Sequence, residues 1–338
     1  MVNDCFPFFN ELDLLEIRLN ILKDVVDKIV LVEAGETHTG KPKPFYFEEN
    51  RSRFAEFLDR IEYVKVEKFP EVCKTAWARE NWQRNAIAEG LVGCADDDAV
   101  LISDLDEIPN PEKVRGLVGK PGVVAFRQDY YSFYLNYRSV RDFCWCGTRM
   151  LSYRDFLHCF DGVDVYDNEI LVREVNKGTT ASKIRCRRLP RSRGGEHVIS
   201  DGGWHFTCLG GAEAVLTKMR AVVPHHDFNP DDPSLTSARM VELIAKGQGP
   251  ALKMNCFAVP IGDSFPKYIR ENQERYAHLI FKITPEYMKR VRWARFGRSL
   301  QGRLIQFWIW LCPPALHNWL HLIKMRLLRA DGRCKSRQ

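Results

Sequence analysis

Two aspartates separated by one residue, Asp104 and Asp106 in "VLISDLDEIPNP" (100–111), follow an apolar run that reads as a buried strand. In extended backbone that spacing puts both carboxylates on the same side. A carboxylate pair at a strand end can take up a hard divalent cation and leave positions open for phosphate oxygens and water. The cation would neutralise charge developing on a diphosphate leaving group. Glu107, beside the pair, is placed either to orient a metal-bound water or donor hydroxyl, or simply as the acid of a helix start. The pattern alone is not specific. Asp96 and Asp98 in "ADDDAV" repeat it before the strand, in a polar stretch that reads as a solvated turn. A polar turn without an ion is therefore open for Asp104 and Asp106 too.

The surrounding sequence supplies elements that could position these acids. "DCFPFF" is a short apolar run, and Leu12, Leu15, Leu19 and Leu22 then share one helical face, with Asn10 at the N-cap position. Residues 28–34, 61–69 and 99–103 read as strands, 78–91 as a helix, and 122–137 as an aromatic, β-rich segment. Strands alternating with helices predict an α/β domain with a largely parallel central sheet covered by helices. Ligands of such sheets bind at the carboxyl ends of the strands, where "DLDE" lies. Residues 183–197 are basic with Gly and Pro and read as a loop. In 200–219 an aromatic segment passes through Gly210 and Gly211 into a helix. There is no Rossmann or P-loop glycine pattern.

Charge and hydropathy divide the chain unevenly. Of 50 basic and 44 acidic residues, 12 basic and one acidic fall in 289–338, so that tail carries +11 and the remainder −5. The segment 304–325 is apolar over a bilayer-spanning length, but Pro313-Pro314 interrupts it, and Trp308, Trp310 and Trp319 lie between basic flanks. Helices lying in a membrane interface fit this better than a span. The expected organisation is a catalytic domain over 1–285 and a basic, apolar helical tail over 286–338 that touches an anionic membrane. Nucleic-acid binding is disfavoured by the net acidic body. Eleven cysteines without a C-x₂-C pair suggest reduced, buried thiols. With no basic, apolar leader at the start, the expected location is cytoplasmic, peripheral on the membrane's cytoplasmic face.

Four collinear segments, "FFNELDLLEIRL", "VEAGETHTGKPKP", "ISDLDEIP" and "GGWHFTCLGGAEAVLTK", resemble glycosyltransferase family 17, with a further likeness in "FPKYIRENQERYAHLIFK" ending at about Lys282. The resemblance implies a single GT-A-type domain, a divalent cation (Mn²⁺ or Mg²⁺) and inverting transfer of N-acetylglucosamine from UDP-GlcNAc. It casts Asp104 and Asp106 as metal ligands and His205 of "GGWHFT" as a third; His225 and His226, which belong to none of these motifs, are rivals for that place. An inverting transfer needs a general base for the acceptor hydroxyl. Glu213, at a helix start after two glycines, is the first candidate, followed by Asp201 and Asp161. Asn10, Glu11, Glu33, Lys41 and Arg84 occupy places expected to hold the donor nucleotide, with Glu107 beside them and Trp204 available to stack on a sugar.

The family's animal members carry an N-terminal membrane segment. Here the apolar, basic part is at the other end, which favours a saccharide or lipid-linked glycan acceptor at a membrane face over an N-glycan. Two readings of other classes compete: a metal-dependent nucleotidyltransferase or phosphohydrolase, and a non-catalytic protein that docks on membranes through its tail.

Overall fold

The computed structural model describes residues 1–139, 145–158, 197–221, 232–248 and 256–287. The chain divides into two compact units, Met1–Phe281 and Lys282–Gln338. The basic tail read from 289 onward, the loop at 183–196, and Asp161, His225 and His226 lie outside the described residues.

The strands are β1 (Val2–Phe8), β2 (Lys28–Ala34), β3 (Ile61–Val66), β4 (Ala99–Ile102), β5 (Glu107–Pro109), β6 (Val124–Ser132), β7 (Tyr137–Ser139), β8 (Trp145–Ser152), β9 (His197–Ile199), β10 (Gly203–Thr207) and β11 (Cys256–Ala258). The helices are α1 (Leu12–Leu22), α2 (Tyr46–Glu49), α3 (Ala76–Asn85), α4 (Ile87–Gly90), α5 (Pro111–Leu117), α6 (Tyr153–His158), α7 (Gly211–Ala221), α8 (Ser237–Ala245) and α9 (Lys267–Glu271).

The sheet runs β11-β7-β6-β8-β4-β1-β2-β3, with β10 beside β5 and β6 and β9 beside β6. Its half β4-β1-β2-β3 is parallel, whereas β8 is antiparallel to both β4 and β6. The expected α/β layout, a mostly parallel central sheet flanked by helices, holds, and the antiparallel pairings of β7, β8 and β11 make the sheet mixed.

Successive residues of the parallel strands face opposite sides, so each strand feeds two cores. Phe6, Phe8, Ile29, Leu31 and Leu101 pack with Leu15, Leu19 and Leu22 of α1 on one face. Cys5, Val30, Val32, Val100 and Ile102 pack with Ala78 of α3, Ile87 of α4 and Leu91 on the other. The near-continuous apolar runs of β1, β2 and β4 are explained by burial on both sides. Because the three strands are parallel and adjacent, their carboxyl ends open together. There the chain leaves through Asn10 and Glu11 after β1, the turn at 35–44 after β2, and the acids after β4.

Local details depart from expectation in instructive ways. The α1 N-cap position falls on Glu11, not Asn10, and neither side chain caps the helix. The expected helix over 78–91 is two helices, α3 and α4, and its true cap is Thr75, whose side chain accepts from the Ala78 amide at 3.1 Å. The segment at 122–137 breaks after β6, where Phe133 adopts a left-handed backbone (φ 73°) before β7. The six described cysteines are free, and burial pushes the Cys73 and Cys256 thiols up to about 11 and about 12. Among the described residues, no helix is long and apolar enough to cross a membrane.

Candidate active site at the acid turn

The chain reverses immediately after β4. The Glu107 amide donates to the Asp104 carbonyl at 3.0 Å, closing a four-residue turn over 104–107. Asp104 and Asp106 are therefore not in extended backbone, and their carboxylates take different partners. Asp104 Oδ1 accepts from Arg84 Nη2 at 2.6 Å, and Arg84 also meets Glu80 on α3 at 2.9 Å. Asp106 Oδ2 accepts from Lys218 Nζ at 2.8 Å, while its Oδ1 lies 3.4 Å from His205 Nε2. Leu105 between them is buried in the α1-side core, which orients the acids outward from the turn.

Glu107 is neither a helix-start acid nor positioned for a water or donor hydroxyl. It opens β5, is fully buried, and braces the turn from within. Its Oε2 accepts from the Asp104 amide at 2.7 Å and its Oε1 from Trp145 Nε1 at 2.6 Å, while Thr148 Oγ1 donates to its carbonyl at 2.8 Å. A Cβ at Gly147 would lie 2.2 Å from the Glu107 carboxyl carbon, so only glycine fits there. The helix after the turn is α5, capped by Asn110 Oδ1 accepting from the Glu112 amide at 3.0 Å, with Pro111 at its first position.

Below the turn lies Arg18 of α1, fully buried. Its Nε and Nη2 hold Asp4 Oδ2 and Oδ1 of β1 at 2.8 and 2.6 Å. Nη1 donates to the carbonyls of Asp104, Leu105 and Glu107 at 2.9, 3.0 and 3.1 Å, and Nη2 to Ser103 Oγ at 2.6 Å. The guanidinium fork thus ties helix, strand and acid turn into one unit. Arg18 carries a signal in the sequence that is easily missed: it lies three residues after Leu15 and four before Leu22, on the apolar flank of its helix.

Above the turn sits Lys218 of α7. Its ammonium bridges Asp106 Oδ2 and Glu11 Oε1, the latter at 2.9 Å. Burial alone would raise the Asp106 carboxyl, but the neighbouring Lys218 and His205 hold it well below the usual carboxylate range. For Lys218, burial would favour the neutral amine, and Asp106 with Glu11 pull it well above the ordinary lysine value. Both groups are charged at neutral pH. His205 is brought in by β10, which pairs with β5 so that His205 lies opposite Glu107. Gly203 permits that pairing, since a Cβ there would approach the Ile108 carbonyl to 2.2 Å and its φ is +129°. Tyr130 and Trp145 flank the His205 ring at 4.7 and 5.0 Å, and among the described residues its buried Nδ1 meets no partner.

The turn thus gathers Glu11, Arg84, Asp104, Asp106, Glu107 and His205 of the expected residues. Others stand apart. Glu33 is fully buried and serves α2: its carboxylate accepts from the Tyr46 and Phe47 amides at 2.7 and 3.1 Å, from Lys43 and from Tyr63. Burial raises its carboxyl against the pull of Lys43. Lys41 is exposed in the turn after β2, its carbonyl accepting from the Thr37 amide. Asn10 is half-buried, its amide directed to Glu11 Oε2 at 3.3 Å. Trp204 alternates to the opposite face of β10 from His205 and donates Nε1 to the Ser264 carbonyl at 2.8 Å. Glu213 is exposed and engaged by Ser237 of α8. Five residues separate it from Lys218, so the two side chains diverge by about 140° around α7. Asp201 is exposed in the turn before β10, where its carbonyl accepts from Asn110. Asp96 lies in the expected exposed turn and meets Arg154 Nε, whereas Asp98 is buried, accepting from the Ala95 amide and pairing with the Met1 ammonium.

The divalent cation implied by resemblance does not fit these donors as they stand. Among the described residues no three His, Cys, Asp or Glu side chains converge. Asp104 and Asp106 face Arg84 and Lys218 instead of a common point.

The fold is an α/β domain with an acid turn at the carboxyl end of its parallel strands. Residues 1–144 match the model for Glycosyltransferase family 17. The beta-1,4-mannosyl-glycoprotein 4-beta-N-acetylglucosaminyltransferase of Homo sapiens is 29% identical over 137 residues, 37% of this chain and 26% of that protein. The Mus musculus protein of the same name is 28% identical over the same shares. The chain spans about a quarter of the length of the curated relatives it matches. Among solved structures, galactosyltransferase LgtC in complex with donor and acceptor sugar analogs is 13% identical, with 85% of this chain and 99% of that chain covered and a TM-score of 0.33. Glucosyl-3-phosphoglycerate synthase from Mycobacterium tuberculosis, solved with Mn²⁺, UDP and glucosyl-3-phosphoglycerate, is also 13% identical, covering 80% and 91%, with a TM-score of 0.28.

Replacing Arg18 by Met leaves Asp4 charged and unpaired in the core and strips three carbonyls of their donor. The expected loss of stability is about 3–5 kcal/mol, read by urea denaturation. A loss below about 1 kcal/mol would mean that the turn holds itself.

Proposed function

We propose that this chain is an inverting glycosyltransferase that moves N-acetylglucosamine from UDP-GlcNAc to a saccharide or lipid-linked glycan. The observation that carries this reading is the charge arrangement at the sheet mouth. A charged ammonium sits between Asp106 after β4 and Glu11 after β1, where open α/β sheets take their ligands. The match of residues 1–144 to a glycosyltransferase family supports the class of reaction and the choice of donor sugar. The neutralisation of Asp106 by Lys218 and of Asp104 by Arg84 makes the mouth hospitable to a diphosphate, which two unpaired carboxylates would repel.

In the reaction the acceptor oxygen attacks the anomeric carbon from the face opposite the diphosphate. The bond to the diphosphate oxygen breaks with inversion, and the acceptor proton passes to a carboxylate. The protein's part is to place the donor and offset the negative charge that grows on the leaving diphosphate. Glu213, held by Ser237, and Asp201, in the turn before β10, are the carboxylates proposed for that proton from the sequence. Glu11 is the carboxylate that shares Lys218 with Asp106. A divalent cation would supply Lewis-acid stabilisation of the diphosphate; because the described donors do not converge on one, no step is assigned to it.

Screening UDP-sugars for hydrolysis and transfer tests the reading. Activity is expected with UDP-GlcNAc, and Asp106→Asn should lower turnover by about 10²-fold or more, as loss of an electrostatic group at a reacting centre does. Full turnover in that variant, or none with any UDP-sugar in the wild type, would contradict it.

The tail from 286 to 338 is proposed to hold the enzyme on the anionic cytoplasmic face of a membrane, on the strength of its charge and tryptophan pattern. A chain ending at residue 285 should lose binding to phosphatidylserine-containing vesicles while keeping its donor chemistry. Unchanged vesicle binding would dismiss the tail's role.

A further inference from the structure

We propose that Lys218 is the resident cation of the acid turn: its ammonium occupies the place of a divalent metal at Asp106 and offers its remaining N–H to the donor diphosphate. The proposal rests on the nucleotide-sugar reading above for the identity of the diphosphate, but not for the exclusion of the metal.

Three observations carry it. First, the ammonium is held by carboxylates from two different strand ends, Asp106 Oδ2 at 2.8 Å and Glu11 Oε1 at 2.9 Å. Those two carboxylates make an anionic seat that the ammonium fills. Second, an ammonium has three donors, and among the described residues Lys218 meets two acceptors. Its side chain is 20% exposed, against 7% for Asp106, so the lysine is the more accessible member of the pair. Third, the lysine is fixed from its backbone. It lies three residues after buried Val215, on the inward flank of α7. The end of that helix is tied to the turn after β2, where Thr39 N and Oγ1 donate to the Ala221 and Arg220 carbonyls at 3.3 and 3.0 Å.

A divalent ion entering the Asp106 seat would stand within contact distance of an ammonium that has nowhere to go without abandoning both carboxylates. Ammonium and metal are therefore alternatives at this carboxylate. Arg84, itself buried, takes Asp104 Oδ1 at 2.6 Å, so that oxygen of the second acid is already paired. The sequence contained the clue without its meaning, since Lys218 closes the "GGWHFTCLGGAEAVLTK" segment.

The test compares the full chain with its Lys218→Met variant, using Mn²⁺ binding followed by electron paramagnetic resonance and UDP binding by calorimetry in EDTA. The variant is expected to bind Mn²⁺ at least tenfold more tightly than the wild type. It should bind UDP at least tenfold more weakly in EDTA, recovering when Mn²⁺ is added. Equal or weaker Mn²⁺ binding by the variant overturns the proposal, as does wild-type UDP binding that collapses in EDTA. Tighter Mn²⁺ binding with no UDP binding by either protein would uphold the exclusion and overturn the nucleotide-sugar reading. Should the variant not fold, by circular dichroism, the wild type still decides. Acylation of Lys218 by a soluble amine reagent, mapped by mass spectrometry, should slow at least fivefold when UDP is added in EDTA. No protection by UDP overturns the proposal.

Discussion

The geometry of this molecule depends on one buried guanidinium. Arg18 is removed from water completely, a state that is costly unless every donor is used. Its partners are Asp4 on β1, the Ser103 hydroxyl and three backbone carbonyls of the turn after β4. None of these acceptors could be buried cheaply without it. The turn must therefore stand where Arg18 reaches, and α1 must lie where Arg18 starts. A turn fixed to the sheet in this way can hold carboxylates outward at a constant place, which a mobile loop could not.

From that base the site is assembled by charge neutralisation in pairs. Glu107 braces the turn from inside, with Trp145 and Thr148 of β8 as its partners and Gly147 giving way to it. Arg84 takes Asp104 and Lys218 takes Asp106, so each acid emerges already matched. The two cations come from α3 and α7, elements far apart in sequence. What they leave is a mouth whose two acids are each neutralised, with Lys218 more exposed than the Asp106 carboxylate it pairs, an arrangement suited to holding a diphosphate without trapping it.

Much of the fold was legible from patterns in the sequence. β2 was read with its observed bounds and β4 within a residue, because strands buried on both faces announce themselves as continuous apolar runs. The acid turn was placed correctly at a strand end. Its internal geometry was not legible: Asp-x-Asp in a strand and Asp-x-Asp in a turn look alike, and the Glu107 amide bond that decides between them depends on β5 finding β10. Glu33 illustrates the same limit. A carboxylate at a strand's carboxyl end suggests a ligand contact, yet it satisfies the first amides of α2, thirteen and fourteen residues on. Glu213 looked like a base because it starts a helix near the motif. Only the packing of α7 shows that Lys218, not Glu213, faces the acids. Polar residues are chosen by partners distant in sequence, and those partners are what a linear pattern omits.

The most direct measurement is a crystal structure of the full chain soaked with UDP in metal-free buffer. The account predicts a diphosphate oxygen within about 3 Å of Lys218 Nζ, over an acid turn still held from below by Arg18. A nucleotide bound away from the 104–107 turn, with Lys218 unchanged between Asp106 and Glu11, would contradict it.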